Sequence, residues 1–162
     1  MGDIIDLEDL KKVRGQHDNI VFCTGCYDIL HSGHVYFFKQ CKEFGDILVV
    51  GLGRDSTLKA LKGPTRPINP EQNRLYLLAA LSDVDYVVLN DSSILLGKID
   101  FNDVIMALKP DVFVLNDDDS AIEDKRKLCS ELGIRMELVP RDLPDGLESR
   151  SSSEIVERMK DE

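Results

Sequence analysis

No stretch of the sequence approaches the roughly 18 consecutive apolar residues that a membrane span needs. The opening MGDIIDLEDLKK is acidic and lacks the apolar stretch of a secretory leader. These absences lead to the expectation of a cytoplasmic protein without membrane partners. Basic residues are few beside acidic ones, 20 against 30 in 162 residues, and the net charge of −10 opposes loose attraction to nucleic acid. Any phosphate must therefore be held by local groups. Cysteine is sparse too: four residues with one close pair, Cys23 and Cys26, do not make the framework of a disulfide-stapled secreted domain. Internal repeats and low-complexity linkers are also missing. With 43% apolar residues, enough for one core, the expected organisation is a single domain over residues 1–162, its core spanning about 18–160.

What the chain does have is alternation. The apolar runs NIVFCT, DILVVGL, DYVVLN, DVFVLN and IRMELVP are of strand length and nearly continuous, as for strands covered on both faces. Helix-length amphipathic stretches separate them, the pattern of an α/β parallel sheet. Asn69 is expected to cap a helix with Pro70 in its first turn and Gln72 three residues on, ahead of RLYLLAAL. Ser120 with Glu123, and Ser151 with Glu154, repeat the capping-box spacing, and Gly133 stops the helix that Ser120 opens. A helix starting near Gly33 would bury Val35, Phe38 and Cys41 and end at Gly45. The Pro-rich segment KGPTRPINPEQ, residues 62–72, is a loop of the length that often carries function.

The stretch CTGCYDILHSGH, residues 23–34, stands where the first predicted strand meets that helix. Its C-x2-C-x4-H-x2-H spacing permits a zinc site of Cys23, Cys26, His31 and His34, although H-x2-H is shorter than usual and a knuckle is normally a self-contained loop. A C-x-x-C redox pair normally opens a helix, whereas several loop residues follow Cys26. The third possibility is a phosphate cradle. Gly25 and Gly33 allow close backbone approach, the helix start presents free N–H groups, and His31 and His34 lie on one side of it. Two imidazoles there suit an anion that gains charge during reaction.

GCYDILHSGH resembles the G-x-F-D-x-x-H-x-G-H signature of cytidylyltransferase-like nucleotidyltransferases. GDILVVGLGRD, KGPTRPINPEQNRLYLLAALSDVDYVV and LKPDVFV are similar to the matching stretches of bacterial heptose-phosphate adenylyltransferases and, less closely, glycerol-3-phosphate cytidylyltransferases. The resemblance implies a Rossmann-like doubly wound parallel sheet of about five strands. It also implies transfer of a nucleotidyl group from ATP or CTP, with Mg2+, to a small phosphorylated acceptor, a sugar phosphate in the first instance, releasing pyrophosphate. Glycerol phosphate or a riboflavin-type phosphate would serve in related branches, and a nucleotide-binding sensor without turnover is the rival of another class. A homodimer is expected by the same analogy.

Carried over residue by residue, the resemblance makes His31, His34 and Lys62 catalytic, with Lys62 bridging the two reacting phosphate groups. Cys26, Tyr27, Arg74, Arg141, Ser151, Ser152 and Ser153 join the histidines at the nucleotide; the serines stand where the family has S-T-T at a helix start. Asp28, Asp55, Lys62 and Asp117 would serve the acceptor, and no protein side chain is assigned to the metal. Judged apart from the resemblance, Lys62 and Arg74 read as exposed charges, and His17 as a surface residue. Two departures stand out. LNDDDS puts Asn116 at a family glycine with Asp117 to Asp119 behind it, acids that repel anions unless a cation lies between them, and PRDLPDGLESRSSS lengthens the link into the serine helix, which leaves the alignment of Gly146 open.

Overall fold

The computed structural model of the protein describes residues 1–90, 94–95, 98–99, 101–148 and 150–160. Along the chain run β1 (Asp3–Ile5), α1 (Leu10–Gln16), β2 (Ile20–Gly25), α2 (Ser32–Lys42), β3 (Ile47–Gly53), α3 (Asp55–Lys62), α4 (Glu71–Ala79) and β4 (Tyr86–Asn90). Then come β5 (Ile94–Leu95), β6 (Lys98–Ile99), α5 (Asn102–Leu108), β7 (Val112–Asn116), α6 (Ile122–Leu132), β8 (Arg135–Val139) and α7 (Ser152–Lys160). All five strands expected from the apolar runs are present. The sheet has six strands rather than about five, because β1 adds to the edge by pairing with β4. Its three residues, DII, in an acidic opening are too short to show a strand pattern, and only the neighbouring edge draws them into register. A two-residue antiparallel pair, β5 and β6, stands apart from the main sheet.

Every pairing in the main sheet is parallel, in the order β1-β4-β3-β2-β7-β8. From β2 the chain winds outward through β3 to β4, then crosses back to lay β7 on the other side of β2. The winding therefore reverses between β2 and β7, and the carboxyl ends of those two strands open the crevice where doubly wound sheets bind ligands.

Alternation along each strand feeds two cores. Val21 and Cys23 of β2 pack with Phe37, Phe38 and Cys41 of α2 and Leu75 and Leu78 of α4. Ile20 and Phe22 face the other way, onto Leu10 and Val13 of α1, Val104, Ile105 and Leu108 of α5 and Cys129 of α6. Phe37, not Val35, joins α2 to the core; Val35 is exposed. Two expected caps are replaced. Pro70 occupies the N-cap of α4 while the Asn69 amide bonds the Asp28 carbonyl, and Ala121 caps α6 with its N–H donated to the Asp119 carboxylate. Gly133 does end α6, in the left-handed conformation at φ +69°. His17 is half-buried and meets the Tyr86 hydroxyl at 3.1 Å, so it is less exposed than its polar neighbourhood suggests.

Candidate active site

The crevice at the switch point is built on the turn after β2. Tyr27 takes a left-handed conformation, φ +45°, which folds its ring back over Gly25. A Cβ at residue 25 would lie 2.7 Å from that ring, so only glycine fits. The buried ring sets its edge against His34, centroids 5.2 Å apart at 81°, and packs on Phe38. Burial, reinforced by Cys23, Cys41 and Cys26, pushes the phenol well above its usual 10.0, so it stays neutral.

His31 is the N-cap of α2, extended at φ −146°, and its carbonyl accepts the N–H groups of His34 and Val35. That geometry puts the two imidazoles one turn apart on one side of the helix start, stacked with centroids 3.8 Å apart and planes at 28°. Gly33 leaves room for the pair, since a Cβ there would come within 3.0 Å of the His31 ring. Burial, then the nearby Arg141 charge, lowers the pKa of His31 despite an opposing pull from Glu154. Burial, His31, Arg141 and Lys62 together lower His34 to about 3. Both rings are thus neutral near pH 7, each with one N–H to donate, and the Nδ1 of each is buried with no partner. Burial is the first cause of that neutrality; the positive charges of Arg141 and, at His34, Lys62 add to it, and those charges would welcome an anion. Lys62 itself is exposed at the end of α3, close enough for its charge to reach His34.

Asp28 and Arg74 frame this site from within. Asp28 is 2% exposed, and its carboxylate accepts from Arg66 Nε at 2.6 Å and from the N–H groups of Ile68 and Asn69 at 2.8 and 2.9 Å. It therefore pins the Pro-rich loop to the β2 turn, with its lone pairs turned to that loop. Arg74 overturns its reading as an exposed charge: it is completely buried. Its guanidinium donates to the carbonyls of Asn69, Cys26 and Gly53 and to the Asp55 carboxylate, at 3.0, 2.5, 2.9 and 2.7 Å. One side chain thus ties the ends of β2 and β3 to α4 and brings Cys26 and Asp55 together.

On the other side of the crevice stand the ends of β7 and β8. Asn116, Arg141 and Arg150 line a cleft with His31, Gly33 and His34. Arg150 was not singled out from the sequence; the only signal was a basic residue directly before the serine run. The three acids after Asn116 diverge. Asp117 is exposed, Asp118 accepts from Arg141 Nε at 2.6 Å, and Asp119 takes the Ala121 N–H and Lys125. At the start of α7 the capping box forms as its spacing predicts: the Ser151 N–H meets the Glu154 carboxylate at 2.6 Å, and the Glu154 N–H meets Ser151 Oγ at 3.2 Å. Ser152 Oγ donates to the Ile29 carbonyl at 3.0 Å, docking α7 onto the loop that carries His31, while Ser153 is exposed.

The zinc and redox alternatives lose their geometry. Cys23 is buried inside the sheet core with its Sγ 3.8 Å from the Tyr27 hydroxyl, and all four cysteines are unpaired. Among the described residues no three His, Cys, Asp or Glu side chains converge as a metal site. No helix of the described residues is long and apolar enough to cross a membrane.

Comparison with known proteins gives the family and the fold. The cytidylyltransferase-like family profile matches residues 22–158. The bifunctional protein HldE of Syntrophotalea carbinolica is 40% identical over 157 residues, covering 96% of this chain and 29% of its own length. That of Campylobacter jejuni (strain RM1221) is 41% identical over 155 residues, covering 95% and 31%. The chain therefore spans about three tenths of the length of these curated relatives. A crystal structure of the lipopolysaccharide core biosynthesis protein from Thermoplasma volcanium superposes with a TM-score of 0.63 at 32% identity, over 78% of this chain and 98% of that one. The pantoate-beta-alanine ligase of Francisella tularensis shares the fold at 20% identity, with a TM-score of 0.67 over 99% of this chain and 77% of that one. With a profile match spanning β2 to α7 and the histidine pair at the switch point, the chain belongs to the cytidylyltransferase-like family of nucleotidyltransferases.

Proposed function

We propose that the protein transfers a nucleotidyl group from ATP or CTP to a small phosphorylated acceptor, a sugar phosphate first among the candidates, with release of pyrophosphate. The observation that carries this reading is the stacked pair of neutral imidazoles at the N-terminus of α2, both Nδ1 atoms unpartnered, with Arg141 and Lys62 close by. In the reaction a phosphate oxygen of the acceptor forms a bond to the α-phosphorus, the bond from that phosphorus to the bridging oxygen breaks, and the electron pair leaves with pyrophosphate. No enzyme nucleophile is required, so positioning and charge stabilisation supply the catalysis. His31 and His34 donate to the triphosphate oxygens, and the free N–H groups of the α2 start add to the same field. Lys62, on the α3 side, neutralises the two phosphate groups brought together. Buried Asp28 and Arg74 keep the two loops in place around them.

A sugar phosphate is favoured by the similarity of the Pro-rich loop and β4 segments to heptose-phosphate adenylyltransferases, and by the 32% identity to a lipopolysaccharide core biosynthesis protein. Mg2+ belongs to the proposal as the counter-ion of the triphosphate, where it would supply charge neutralisation. A homodimer is a separate proposal, checked by light scattering. Pyrophosphate release from Mg·ATP and from Mg·CTP, screened over phosphorylated sugars, glycerol phosphate and a riboflavin-type phosphate, tests the function. His31→Ala is expected to lower turnover by at least about 100-fold. Binding of a nucleotide without release with any acceptor would instead favour a sensor.

A further inference from the structure

A histidine that works on a ligand through one ring nitrogen is ordinarily oriented by a hydrogen bond on the other, to a carboxylate or a carbonyl. His34 has no such bond: its Nδ1 is buried without a partner. Ring packing on two sides orients it instead. The His31 imidazole lies against it, centroids 3.8 Å apart and planes at 28°, and the Tyr27 ring meets it at 5.2 Å and 81°. His31 lines the cleft and its own Nδ1 is also without a partner, so the histidine stack does not anchor itself. The anchor is on the Tyr27 side.

Tyr27 is fixed from several directions. Its left-handed backbone, φ +45°, turns the ring back over Gly25, where a Cβ would come within 2.7 Å of it. Phe38, one turn beyond His34 on α2, packs on it with centroids 5.1 Å apart, and its hydroxyl reaches into the core, 3.8 Å from Cys23 Sγ. The side chain is 6% exposed, so the resemblance that sets Tyr27 at the nucleotide does not extend to its ring. We propose that Tyr27 is a positioning residue, whose ring edge orients His34 with Nδ1 turned into the protein and a protonated Nε2 turned to the cleft. The proton belongs on Nε2 because a buried N–H without an acceptor is rarer than a buried acceptor without a donor. Tyr27 thus acts through His34, and its side chain needs no contact with the ligand.

The proposal deepens the nucleotidyltransferase reading and rests on it for its kinetics, while its spectroscopy stands apart. Nitrogen-15 NMR of the full chain near neutral pH reads the tautomer of each imidazole in wild type, Tyr27→Phe and Tyr27→Met. Phenylalanine keeps the ring, and methionine fills much of its volume with a flexible chain. Wild type and Tyr27→Phe should show His34 as the Nε2–H tautomer, and Tyr27→Met should show an added Nδ1–H population. In pyrophosphate release, Tyr27→Met should lower kcat/KM for the nucleotide about tenfold with the acceptor KM within about twofold of wild type, and Tyr27→Phe should recover most of that loss. Thermal unfolding shows which variants are folded; the wild-type tautomer and Tyr27→Phe decide the matter if Tyr27→Met is not. An Nδ1–H tautomer in wild type, an unchanged His34 spectrum in folded Tyr27→Met, or a loss in Tyr27→Phe equal to that in Tyr27→Met overturns the assignment. Absence of turnover in wild type with every acceptor overturns the proposed function instead, and the NMR comparison still decides whether Tyr27 orients His34.

Discussion

Acidification should cost this protein stability through one side chain. His34 has a pKa of about 3 in the folded protein against an ordinary 6.5, so below pH 6.5 the unfolded chain takes up a proton that the folded chain refuses. Stability then falls as pH drops from the ordinary value towards the folded one. Over the interval from pH 7 to 5, those two pKa values integrate to a loss of about 2 kcal/mol. For a chain of this length that is about 4–8 °C in Tm. His31, shifted in the same direction, adds to the effect. The assay is thermal unfolding of wild type and His34→Gln across the interval, because carboxylates elsewhere titrate equally in both and cancel in the difference. The variant should lose the excess slope. Parallel curves for the two proteins between pH 7 and 5 would refute the account of the buried, uncharged histidine pair.

Asp28→Ala removes the acceptor for Arg66 and two loop N–H groups, and should destabilise by about 3 kcal/mol in urea unfolding with an unchanged m-value. Arg74→Met should cost at least as much, about 3–5 kcal/mol, because four acceptors at the ends of β2, β3 and the Pro-rich loop lose their donor together. Arg74→Lys should restore little of it, since an ammonium cannot span the same four positions. Gly25→Ala drives a Cβ against the Tyr27 ring and should lower stability by about 1–3 kcal/mol while raising the KM for the nucleotide, through displacement of the ring edge from His34.

Much of the site was legible because its parts are local. Residues 23–34 announce strand, glycine turn and helix start in that order, and the three-residue spacing of His31 and His34 puts both rings on one side of the helix. The Ser151–Glu154 capping box, equally short in range, forms as its spacing predicts. Where the sequence misled, a distant partner had intervened. Asn69 has the composition of a helix cap, yet Asp28, 41 residues earlier, claims it; Ser120 yields the cap position to Ala121 because Asp119 reaches the nearby N–H first. Arg74 reads as one more surface charge until β2, β3 and the Pro-rich loop all direct carbonyl groups at it.

The sequence by itself determined the alternation of strands and helices, the two-faced burial of β2 and β3, and the chemistry available at the first strand–helix turn, because each follows from period, turn residues and neighbours along the chain. Only the tertiary structure decided that β7 returns beside β2, and this return creates the switch point. It also decided that Asn116, Arg141 and Arg150 meet His31 and His34 across one cleft, whereas the burial of Cys23 already followed from its place on the first predicted strand. The physical reason is the same throughout: which charges are free to meet a ligand depends on which acceptors the folded chain has already brought to them, and those acceptors lie far away in sequence.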